Sequence, residues 1–197
     1  MEVTADIDRS FDRLAARLDA AIAVSYTLLA EKLLDPALPD TAELRAPYQK
    51  ADWRPSATLL QEDAQVSSWL IKLLPVFAKA VRSVPVEHRT PFIRATTKFI
   101  FSLIGQKVLS LDDSNSKPSS PCCIHAICAE QLYLDIHLFM LLIGAHSDDS
   151  LIDAAVKLCD SAFQMASRNL PENLSLHPED WFDRRARKLL SQYAIIL

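Results

Sequence analysis

Apolar side chains recur at three- and four-residue steps along most of this chain, a period that predicts helices. The first stripe is Ile7, Phe11, Leu14, Leu18, Ile22, Leu29 and Leu33, interleaved with Asp12, Arg13, Arg17 and Asp19. Asp6 and Asp8 fall in its first turn, where negative charge offsets the macrodipole. The helix is expected to stop at Leu34-Asp35-Pro36, and Pro39 and Pro47 to keep the chain out of helix until about residue 60. A second helix is expected over 63–84, on the apolar face of Val66, Trp69, Leu70, Leu73, Leu74, Phe77 and Val81. Pro75 lies inside it, which predicts a kink, or a break with Pro75 in the first turn of a new helix. Pro85 ends the stretch.

A third helix is expected from Pro91 to about Leu111, with Phe92, Ile93, Phe99, Ile100, Leu103, Ile104 and Val108 as its stripe. The polar, turn-rich run Asp112 to Pro121 then predicts a flexible loop over 111–121. A fourth helix, from about Cys122 to Ile143, is apolar over much of its circumference, as a helix packed on several sides must be. Gly144 suits its C-terminal cap. A fifth, amphipathic helix spans about Asp149 to Asn169 and is closed by Pro171; a last one begins near Pro178 with Trp181, Phe182, Leu189 and Leu190 on one side. The closing Ala194-Ile195-Ile196-Leu197 is too apolar for a free tail, which implies a truncated chain or an end docked on a partner. No strand-like alternation and no internal repeat occurs. The expected fold class is all-α: an elongated antiparallel helical bundle or rod of about six helices, in one domain over 1–197.

Composition narrows the function. Half of the 197 residues are hydrophobic and 23% are charged, the profile of a chain that buries a core. Only two glycines occur, Gly105 and Gly144, and no Gly-rich phosphate loop can be built from them. A net charge of −4 supplies no field for nucleic acid, so no nucleic-acid partner is expected. Arg184-Arg185-Ala186-Arg187-Lys188 is the one basic run, and it reads as a solvated face near a helix C-terminus, with an acidic partner or phosphoinositide-rich membrane as the alternative. The longest apolar stretches, around Leu138 to Ala145, fall short of a membrane span. With no signal peptide and four cysteines read as free thiols, a cytoplasmic protein is expected, with at most peripheral contact at a vesicle or plasma membrane.

Three constellations carry candidate chemistry. Cys122, Cys123, His125 and Cys128 are metal-ligand types, but structural zinc wants two short-spaced pairs, and only His137, His146 or Cys159 could complete the set. Small buried cysteines explain the cluster better. Asp148-Asp149 and Asp153 are spaced DDxxxD rather than as the DDxxD magnesium motif of helical prenyl-transfer enzymes, and a helix N-terminus accounts for them. A cysteine–histidine nucleophile has no marked base, orienting group or oxyanion hole. No residue is therefore assigned a catalytic, cofactor-binding or metal role, and no enzyme is expected.

One stretch is similar to a known family. Ala51-Asp52-Trp53-Arg54-Pro55-Ser56 precedes the amphipathic run Val66 to Leu74, which ends at Ser83-Val84-Pro85. After another helix and a polar loop come Ile124-His125-Ala126-Ile127 and Gln131-Leu132-Tyr133-Leu134-Asp135-Ile136. This order resembles the C-terminal region of large exocyst subunits, especially the Rab-effector type, within the wider class of helical-rod vesicle tethering proteins. The resemblance covers roughly residues 46–143 and implies a fragment of a long subunit or a divergent short protein. It implies a non-enzymatic rod in exocytic traffic, with sister tethering subunits and a Rab GTPase as partners. An unrelated helical adaptor, or a homodimer built on the 7–33 stripe, is the alternative expectation.

Overall fold

The computed structural model describes residues 2–38, 40–45, 59–109, 126–167 and 175–193. Among them every regular element is helical: α1 (Glu2–Leu34), α2 (Thr41–Arg45), α3 (Ser68–Ser83), α4 (Val86–Val108), α5 (Ala126–Ile143), α6 (Asp149–Ser167) and α7 (Glu179–Tyr193). The all-α expectation holds, with six long helices plus the short α2. The expected loop at 111–121, the Asp52-Trp53 segment, the Cys122-Cys123-Ile124-His125 cluster and the 194–197 end lie outside the described residues.

Several boundaries differ from expectation, each for a local reason. The segment after Pro39 is not wholly non-helical, because Asp40 accepts a bond from Glu43 N at 2.6 Å and Leu44 N reaches Asp40 O, which suffices to start one short helix. Residues 59–67 run without regular structure, and α3 starts only at Ser68. Pro75 does not break α3, which continues to Ser83 with the proline on its exposed side. Pro91 likewise lies within α4, which opens at Val86 directly after Pro85. In both helices one side is held in a core, and burial of roughly 1.5–3 kcal/mol per large apolar side chain outweighs the lost hydrogen bond. Because Pro75 is exposed and deprives the Ile71 carbonyl of its donor, Pro75→Ala is expected to raise stability by about 1–2 kcal/mol in urea denaturation. A neutral or destabilising result would mean that α3 is adapted to the proline.

α5 stands at the centre. Its buried residues occupy all sides, and Phe139 reaches Phe77 of α3 and Phe101 of α4 at ring-centre distances of 5.2 and 6.2 Å. α6 and α7 pack along it. The end of α1 docks on α3 and α4 through Tyr26, Ala30 and Leu34, with the Tyr26 hydroxyl 2.8 Å from His88 Nδ1. Gly144, at φ +41°, takes the left-handed conformation that ends α5, as its position anticipated. Arg94 of α4 then holds the following turn, donating to His146 O at 2.9 Å and pairing with Asp148 at 3.3 Å.

The stretch from Ala126 to His146 is long and apolar enough to cross a membrane by length and composition, which corrects the shorter estimate from sequence. Most of it is buried in the bundle, and it carries the buried carboxylates Glu130 and Asp135. Those two acids anchor residues 59–67 as a strap across α5 and α7. Leu60 N donates to Glu130 Oε2 at 2.8 Å, and Ser67 N to Asp135 Oδ1 at 2.9 Å, with the Ser67 hydroxyl on the other Asp135 oxygen. Gln131 reaches Gln65 O, Arg185 reaches Ala64 O, and Trp181 Nε1 donates to Glu62 at 2.8 Å. His177 N and Nδ1 complete the shell of Glu130 at 2.8 and 2.9 Å.

Candidate interaction surface

α1 leaves the bundle. Every side chain from Asp12 to Ser25 is exposed, and at 1.5 Å per residue the stretch from Glu2 to Ser25 runs roughly 36 Å. Leu14 and Leu18 are 63% and 60% exposed, and Ile22, Val24, Leu28 and Leu29 are also open to solvent. Positions 7, 18 and 29 and positions 11, 22 and 33 of the stripe recur at an eleven-residue period, while Leu14 recurs as the polar Ser25, which interrupts the stripe. That period is close to the turn of a straight helix, so the stripe keeps to one side without the supercoil a heptad demands. It lies away from the docked face of Tyr26, Ala30 and Leu34. A lone helix of this kind draws its stability from an apolar partner face.

The sequence candidates for chemistry are dispersed. Of the cysteine–histidine cluster only Cys128 is described, as a buried cysteine of α5, and among the described residues no three metal-type side chains converge. Asp148 caps α6, accepting from Leu151 N at 3.0 Å, whereas Asp149 and Asp153 face solvent. The helix-terminus reading of these aspartates is the one the geometry follows. The basic run on α7 is not a uniform solvated face: Arg185 is buried on the strap carbonyl of Ala64, while Arg184, Arg187 and Lys188 are exposed. Its spacing carried no sign of this, because only the third dimension brings the strap to Arg185.

Cys159, His137 and Asp183 come nearest to a catalytic arrangement. His137 Nε2 lies 3.3 Å from Asp183, and Cys159 lines the same trough as His137. Burial first, and then Asp160, push the Cys159 thiol up to about 12, the reverse of what a nucleophile needs. Asp183 itself is held below the usual carboxylate range by hydrogen bonds from Arg187 and His137. The set reads as packing and surface pairing.

No family model, curated protein or solved structure matches the chain. What the molecule offers to function is therefore read from its surfaces, and six of the ten exposed large hydrophobic side chains among the described residues lie on α1.

Proposed function

We propose that the chain is a non-enzymatic helical subunit of a vesicle tethering complex in the cytoplasm. α1 pairs with helices of sister subunits, and a Rab GTPase is a further partner. The observation that carries the reading is the stretch of α1 from Asp12 to Ser25, whose side chains are exposed, with Leu14 and Leu18 in solvent. Rods of antiparallel helices in such complexes assemble by laying apolar stripes together, and the likeness of residues 46–143 to exocyst subunits supplies the class of partner. Affinity purification of the tagged chain from its source cells, followed by mass spectrometry, tests it. Sister tether subunits, and a Rab protein enriched when GTP-loaded, are the expected recovery. Leu14→Asp with Leu18→Asp should weaken that association at least ~30-fold while leaving the urea midpoint unchanged, since both side chains are exposed. Recovery of the chain alone would remove the tether reading.

One observation favours a second reading, a homodimer through the same stripe. At about 100° per residue, Asp12 and Asp19 stand on one flank of the stripe and Arg17 on the other. Two parallel copies would set Arg17 of each beside Asp19 of its mate, whereas antiparallel copies would set like charges together. Sedimentation equilibrium separates the readings: a stable dimer lost in Leu14→Asp/Leu18→Asp supports the second, and a monomer retires it.

A further inference from the structure

α6 and α7 each pack along α5 and barely meet one another, which leaves a trough of about 360 Å³ with α5 as its floor. Tyr133, Ile136, His137 and Met140 line the floor at three- and four-residue steps. Ile152 and Val156 form the lip on α6 and are 46% and 51% exposed. At the Tyr133 end stand two exposed carboxylates, Asp160 from α6 and Glu179 from α7. Their field reaches the floor: burial first, then Glu179, Cys159 and Asp160, push the Tyr133 hydroxyl up to about 12. Neither acid forms an ion pair among the described residues, and Asp153 beside Val156 adds a third free carboxylate. No lysine or arginine lines the trough: Lys157 of α6 lies in the groove against α4, and Arg187 of α7 is held by Asp183.

We propose that this trough binds an amphipathic helix of a partner protein, whose apolar side chains enter between α6 and α7 and whose lysine or arginine side chains meet Asp160 and Glu179. Helical spacing on both the floor and the α6 lip presents ridges and a groove to a third helix. An extended peptide would need an unpaired strand edge, which no described element supplies. An acidic or neutral helix would leave Asp160, Glu179 and Asp153 facing like charge or nothing, so the rim selects a basic one. The surface lies on the opposite end of the fold's helix order from α1, and the inference does not rest on the tethering assignment.

The test uses the full chain and a fluorescein-labelled 18-residue helical peptide of leucine at i, i+3, i+4 and i+7 with lysine elsewhere, read by fluorescence anisotropy. Wild type is expected to bind it, more weakly as salt rises. Asp160→Lys with Glu179→Lys, and separately Val156→Asp, are expected to weaken binding at least tenfold, whereas Leu14→Asp/Leu18→Asp leaves it within twofold. The same peptide with glutamate for lysine should not bind. Equal binding of both peptides, or no loss on charge reversal, overturns the proposal. Should the reversed variant fail to fold, hydrogen exchange of wild type with the lysine peptide decides. Protection within 133–140 and 152–160 supports the trough, and protection confined elsewhere rejects it. A chain that recovers no tether subunit but still binds the peptide here leaves this inference standing.

Discussion

Glu130→Ala is expected to lower the unfolding free energy by about 3–5 kcal/mol, the range for removing one member of a fully buried, hydrogen-bonded polar set. Glu130 is 0% exposed and accepts from three donors on two separate segments, Leu60 N, His177 N and His177 Nδ1. Alanine leaves those donors facing a void. Glu130→Gln should cost less, about 1–3 kcal/mol, because its one carbonyl oxygen can serve only one of the two sides while its amide opposes a donor on the other. Urea denaturation followed by far-ultraviolet circular dichroism measures both. An alanine variant within 1 kcal/mol of wild type would show that water replaces the carboxylate and that the strap is held by its other bonds.

Phe139→Ala should have a similar effect, about 3–5 kcal/mol, by a different route. The ring is 2% exposed and joins α5 to Phe77 of α3 and Phe101 of α4. Truncation loses the transfer energy of the ring and opens a cavity that three helices cannot close without shifting. Phe139→Leu, which keeps most of the volume, should cost ~1–2 kcal/mol. Thermal unfolding would show the difference; equal losses for leucine and alanine would mean that the ring's shape, not its volume, is what the site requires. Residues 130 and 139 are about 13 Å apart along α5, far enough for their losses to add. The double variant is therefore expected not to fold, since whole domains are stable by only about 5–15 kcal/mol.

The long helices were legible because their apolar periodicity coincides with real burial. Phe77, Ile100 and Leu158 are core residues where the stripe said they would be. Stops at Pro36 and Pro85 and the turn at Gly144 were legible for stereochemical reasons that hold in any context. Pro75 and Pro91 were not, because a proline's local cost can be outweighed by packing several residues away. Nor was the strap, whose anchors Glu130, Asp135 and Arg185 lie 68 to 121 residues from the atoms they bind. One clue was present: two acids on a helix apolar nearly all round had to find buried donors. The interaction surfaces were the least legible. Leu14 and Leu158 look alike as letters, yet one stands in solvent and the other in the core. Asp160 and Glu179 become a rim only when α6 and α7 are laid on the same helix.

The strap also sets a clock. Its carbonyl at Ala64 and its Glu62 side chain bond to Arg185 and Trp181, 121 and 119 residues later in the chain. During synthesis those partners emerge only after more than a hundred further residues, at roughly 5–20 residues per second. For about 6–24 s, then, the nascent strap is without its α7 partners, and α5, once made, carries the face that α7 covers open to whatever is at hand on the ribosome. A chaperone that shelters such faces would be needed over that interval and superfluous after it.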